Sequence, residues 1–138
     1  MENDVSLSLQ VIGVVRSALT NKDQCPLQGN EGAPEATLSI LQGFQPALDG
    51  LLPGDEILVI TWLHHAVRDA LTCYPRNDFD APHQGVFSTR SPDRPNPIGL
   101  HRVTILSIKN GNILVFPMET LDGTPIVDIK PVISNHER

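Results

Sequence analysis

Residues 85–100 read Gly85-Val86-Phe87-Ser88-Thr89-Arg90-Ser91-Pro92-Asp93-Arg94-Pro95-Asn96-Pro97-Ile98-Gly99-Leu100, with three prolines and two arginines. Pro95 and Pro97 fix their own φ and press Arg94 and Asn96 toward extended backbone. A loop that is stiff beforehand loses little entropy when it binds something. Arg90 and Arg94 each offer forked donors to a carboxylate or a phosphate. The prolines predict that Arg94 is held extended and presents its guanidinium without first being ordered, with pairing to a neighbouring acid such as Asp93 as the alternative. An ordinary Pro-rich connection with solvated arginines is the alternative. A second dense patch runs from Leu121 to Pro131. Asp122 precedes the turn glycine Gly123, so its carboxylate can cap that turn. Asp128 and Lys130 share one strand face and can pair. His64 and His65 are adjacent, and on a strand they would face opposite ways, which makes them poor joint ligands. With no H-E-x-x-H and no Cys/His zinc spacing, no metal site is expected.

These residues need a scaffold. Residues 6–16 and 36–41 are apolar and β-branched enough for strands, with Gly13 as a bend in the first. Residues 17–35 read as a long loop of the kind that often carries function. Residues 44–54 have room for one helical turn before Pro53-Gly54 stops it. Residues 55–63 are the strongest strand signal, an apolar run ending near Trp62. The stretch 64–84 is ambiguous. Further strands are expected at 85–89, 100–108, 112–121 and 125–132. Asn110-Gly111 marks a hairpin and Asp122-Gly123 a second tight turn. Six to eight short strands predict an all-β fold: one small, mostly antiparallel β-barrel with long functional loops and at most short helical turns. The βαβ alternation, the G-x-G-x-x-G fingerprint and the P-loop are all missing, which disfavours a doubly wound nucleotide fold.

The chain has 138 residues, so one domain over 1–138 is expected, with a core at about 10–132. A hydrophobic fraction of 40% supports a real core. Aromatics at 4% exclude a broad base-stacking surface. No apolar run spans a bilayer, and the acidic start MENDVSLSLQ lacks the basic opening of a signal peptide, which predicts a cytoplasmic protein with no membrane partner. Cys25 and Cys73 form no C-x-x-C pair and are expected as reduced thiols.

The motif at 85–100 resembles the signature of the TsaA-like (TrmO) family of tRNA methyltransferases, G-V/I-F-A-T-R-S-P-x-R-P-N-P-I-G-L-S. Other segments match in order: Ile12–Ser17, Cys25–Gly29, Leu48–Leu51 with the strand ending at Trp62-Leu63-His64, and Asp122–Pro131. The resemblance covers about residues 10–132. It implies a small β-barrel that binds S-adenosylmethionine, as a homodimer with the cofactor near the interface. It also implies methylation of N6 of threonylcarbamoyl-adenosine next to the tRNA anticodon. By motif position it assigns Pro26, Leu27, Gln28, His64, His65, Arg90, Leu100, Leu121, Asp122, Gly123 and Thr124 to the cofactor. Leu27 stands where the family has Arg, Ser88 where it has Ala, His101 where it has Ser, and Val132 where it has Tyr.

The N6 proton must go somewhere, and Asp128, Asp122 and His64 are the candidate acceptors. A net charge of −6 weighs against a broad nucleic-acid surface. Yet Arg68, Arg76, Arg90, Arg94 and Arg102 lie within 35 positions, so a local basic face is expected, with Arg76, Arg94 and Arg102 as its RNA contacts. Two other readings stay open: a non-enzymatic S-adenosylmethionine-binding regulatory module and a methyltransferase for a small molecule.

Overall fold

The computed structural model describes residues 5–20, 34–74, 80 and 82–133. Eight strands are formed: β1 (Gly13–Arg16), β2 (Ala36–Ile40), β3 (Glu56–Trp62), β4 (Thr72–Cys73), β5 (Gln84–Gly85), β6 (Ile98–Lys109), β7 (Asn112–Phe116) and β8 (Pro125–Pro131). Six of them close an antiparallel barrel in the order β1-β2-β7-β6-β3-β8, and β8 pairs back onto β1. β4 and β5 form a separate small ribbon. The expected all-β barrel is the observed fold.

Alternation builds the core. Inward positions Val15, Leu38, Ile57, Val59, Val103, Ile105, Ile113, Val115 and Ile126 are fully or almost fully buried, and Met118 joins them from beyond β7. Asn110-Gly111 makes the β6–β7 hairpin, and both residues have positive φ, as a tight primed turn requires. Gly13 does not act as a bend. It opens β1, where a Cβ would lie 2.6 Å from the Ser39 carbonyl oxygen, so glycine permits the close approach of β1 to β2.

Three expectations differ from the structure. Residues 5–12 form no strand, and β1 begins only at Gly13. Residues 86–88 form a 3₁₀ turn instead of a strand, because Ser88 Oγ donates to the Gly85 carbonyl (2.8 Å) and Thr89 Oγ1 to the Val86 carbonyl (3.0 Å). β7 ends at Phe116, since Pro117 has no N–H to continue the ladder. The expected helical turn is a 3₁₀ helix over Gln42–Leu48.

Register decides which loops meet. Trp62 of β3 pairs with Ile98 of β6, and Val14 of β1 with Pro125 of β8. The segments after β1, after β3, before β6 and between β7 and β8 therefore leave the barrel at the same end. The 3₁₀ helix and the β6–β7 hairpin lie at the other.

Candidate functional site

At that end the turn after β3 and the proline loop are locked together. Leu63 N–H donates to the Pro97 carbonyl (2.8 Å), and Val67 N–H to Asp93 Oδ1 (2.8 Å). Arg68 donates from Nε to the Pro95 carbonyl (2.8 Å) and from Nη2 to Asn96 Oδ1 (3.0 Å), while its guanidinium lies 5.0 Å from the Trp62 ring centroid. Pro95 and Asn96 thus serve as acceptors for an arginine from another segment. His64 and His65 sit in the turn this clasp holds. Their rings are 3.9 Å apart at the centroids, so they lie side by side and do not diverge as strand neighbours would. Burial and the neighbouring His65 lower the His64 pKa against the opposing Trp62 backbone contact, which favours the neutral, proton-accepting ring.

The two arginines of the loop have different jobs. Arg94 does not point outward. Its Nη1 donates to the carbonyls of Thr89 (2.9 Å) and Ser91 (3.0 Å), so its own loop claims it. The prolines fix backbone direction, but nearby unpaired carbonyls decide where the guanidinium goes. Arg90 is exposed and makes no hydrogen bond or ion pair with another described residue. Arg102 lies on the outer wall of β6, in a two-pronged ion pair with Glu56 (both bonds 3.1 Å). Among the arginines of the expected basic face, Arg68, Arg94 and Arg102 therefore have protein partners, while Arg90 is uncommitted. Arg76 lies outside the described residues, as do Pro26, Leu27, Gln28 and Cys25. Cys73 is a free, half-buried thiol 3.5 Å from Thr89 Oγ1.

The segment Leu121–Thr124 is pinned to β1 and the residues just after it. Asp122 Oδ1 accepts the Ser17 N–H (3.0 Å), the Asp122 N–H reaches the Leu19 carbonyl (2.7 Å), and the Gly123 N–H reaches the Val15 carbonyl (2.8 Å). Asp122 therefore does not cap its own turn; its carboxylate ties that turn to the segment after β1, 105 positions away in sequence. Asp128 sits on the outer wall with its carboxylate 3.2 Å from Lys130 Nζ, as their shared face predicted. A register shift at Ile60/Thr61 against β8 puts Ile129 against the core and turns Asp128 outward. Leu100 also faces outward, paired with Ile60 across from β3.

One cluster escaped sequence reasoning. His101, only 7% exposed, points into the barrel. Its Nδ1–H donates to Glu119 Oε1 (2.8 Å), and its Nε2 lies 2.8 Å from Thr61 Oγ1. Burial pushes the Glu119 carboxyl up, and the hydrogen bond and charge of His101 more than reverse this, leaving it below its ordinary value. The signal was His101 itself, a polar residue at an inward position of an apolar strand, read only as a departure from a family pattern. Next to Glu119, Thr120 Oγ1 is buried with no hydrogen-bond partner.

A small antiparallel barrel with Arg-bearing and His-bearing loops gathered at one end defines a compact binding domain. Comparison with known proteins gives its family. The family described as "tRNA-methyltransferase O N-terminal domain" matches residues 14–138, and the chain belongs to it. A "Probable S-adenosyl-L-methionine-binding protein" of Methanothermobacter thermautotrophicus is 40% identical over 94% of this chain and 92% of its own. An "S-adenosyl-L-methionine-binding protein" of Archaeoglobus fulgidus is 36% identical over 88% of this chain and 86% of its own. The crystal structure of TrmO from Pseudomonas aeruginosa has a TM-score of 0.74 at 30% identity, covering 94% of this chain. This chain spans 57% of the length of that solved chain.

Proposed function

We propose that this chain binds S-adenosylmethionine at the loop-bearing end of the barrel and transfers its methyl group to N6 of threonylcarbamoyl-adenosine next to the tRNA anticodon. One observation carries the reading. The described segments that the family motif assigns to the cofactor (His64-His65, the proline loop with Arg90, and Leu121–Thr124) leave one barrel end and are hydrogen-bonded to neighbouring segments there, with Leu100 two residues into β6 beside them. The residues suit the cofactor. Arg90 is an uncommitted cation for its carboxylate. The orphaned Thr120 hydroxyl is a buried polar atom wanting a partner.

The bound cofactor supplies an electrophilic methyl on a sulfonium, so the C–S bond breaks as the C–N bond forms. The chain's part is to align the acceptor nitrogen with that methyl and to receive the N6 proton. His64 is the best placed of the three candidate acceptors, because its lowered pKa keeps the ring neutral. Asp128 is paired on the outer wall, and the Asp122 carboxylate is engaged by the Ser17 N–H.

The proposal includes a cytoplasmic homodimer. Ile98, Leu100 and Phe87 are exposed on the outer wall and the adjoining loop, at 46%, 45% and 82%. Leu100 on that wall supports a cofactor that a second copy partly covers. Among the described residues no helix is long and apolar enough to cross a membrane.

A binding module without transferase activity is the second reading. It is favoured by the net charge of −6 and by the commitment of Arg94 and Arg102 to protein partners. Incubation with methyl-labelled S-adenosylmethionine and total tRNA separates the two. Label in the tRNA is expected. Calorimetric binding of the cofactor without label in the RNA would favour the module.

A further inference from the structure

β3 and β6 run side by side with Thr61 opposite Gly99, and both face inward. A Cβ at Gly99 would collide with Thr61 Oγ1 and come within 2.8 Å of His101 Nε2. The missing side chain at 99 therefore makes room for an imidazole two residues on. His101 fills that space and uses both ring nitrogens. Nδ1–H donates to the Glu119 carboxylate, and Nε2 shares a hydrogen bond with the Thr61 hydroxyl. The set resembles a nucleophile triad, but Thr61 is wholly buried, so no substrate reaches its hydroxyl. The arrangement must act through position.

What it positions follows from the chain. Thr61 lies three residues before His64, His101 follows Leu100, and Glu119 lies two residues before Leu121. The far side of segment 121–124 is held by Val15 of β1 and by Ser17 and Leu19 just after it. On the near side, the Glu119 side chain is tied to the barrel through His101. A serine here, the usual residue of the family motif, would stop well short of the ring nitrogens.

We propose that His101 is a positioning residue of this chain, fastening the segment Glu119–Thr124 to β3 and β6 so that it is preformed for its ligand. The ligand part rests on the reading that this segment contacts S-adenosylmethionine. The fastening itself does not.

Two variants test it. His101→Leu keeps an apolar side chain of similar bulk and removes both bonds. His101→Asn keeps one N–H for Glu119. Amide hydrogen exchange of the ligand-free protein reads the segment 119–124 against core amides of β3 and β6. In His101→Leu the segment should exchange about tenfold faster relative to the core, with cofactor affinity about tenfold weaker by calorimetry. His101→Asn should recover both to within about threefold. If His101→Leu does not fold, Glu119→Ala, which removes the acceptor of the His101 Nδ1–H, is expected to show the same local rise. Unchanged exchange at 119–124, or a rise spread evenly over the core, would overturn the inference. Absence of cofactor binding by the wild type would instead bring down the functional reading, and the exchange contrast would still decide the fastening.

Discussion

Arg90 and Arg94 stand four positions apart in one stiff loop and end in different chemistry. Arg94 donates to the part-buried carbonyls of Thr89 and Ser91, whereas Arg90 keeps all its donors. Arg90→Ala should weaken S-adenosylmethionine binding by about 1.5–3 kcal/mol, the usual worth of a hydrogen bond to a charged group. It should leave the melting temperature unchanged, and calorimetry with thermal melts reads both. Arg94→Ala should do the reverse, lowering stability by about 1 kcal/mol because two loop carbonyls lose their donor. Glu119 makes a prediction in pH. Its folded pKa is depressed below the ordinary 4.5, so its stabilising contribution is fully present above 4.5 and is lost as pH falls through the lower folded value. Thermal melts in that acid range should show a shallower loss for Glu119→Gln than for the wild type.

At the scale of elements, the barrel end works because separate segments brace each other. The clasp of Arg68 on Trp62, Pro95 and Asn96 joins the turn after β3 to the proline loop. Gly99→Ala strikes both strands at the start of the site. Its Cβ would meet the Thr61 hydroxyl and His101 Nε2, which hold each other, so neither yields freely. Overpacking of this kind costs about 1–3 kcal/mol, and a urea midpoint measurement should show it. The strands were legible where alternation and turn chemistry agreed, as at 55–63 and around Asn110-Gly111. The 3₁₀ turn at 86–88 was not, because Val86 and Phe87 read as β-formers. The side-chain bonds of Ser88 and Thr89 to the backbone decided the matter. The Asp128–Lys130 pair could be read from spacing, whereas the bond from Ser17 N–H to Asp122 could not, because it joins segments 105 positions apart. The Thr61–His101–Glu119 cluster could not, since it joins residues 40 and 18 positions apart whose meeting depends on strand register.

For the whole molecule, charge and surface bear on partners. An acidic chain whose described arginines are mostly engaged by its own groups has little free cation for RNA. A second copy would double what remains, and the apolar residues of the outer wall offer it a place to dock. Sedimentation should give a dimer at micromolar concentration, and Leu100→Glu should shift it to monomer by placing a charge on that wall. A wild type that is monomeric and fully active would show that one barrel suffices. The central claim, methyl transfer to a modified adenosine, is met most directly by mass spectrometry of nucleosides from tRNA incubated with the protein and S-adenosylmethionine. The expected result is one added methyl on threonylcarbamoyl-adenosine, and none when that modification is missing from the tRNA. Methylation of another nucleoside, or an unchanged nucleoside profile with protein that demonstrably binds the cofactor, would contradict it.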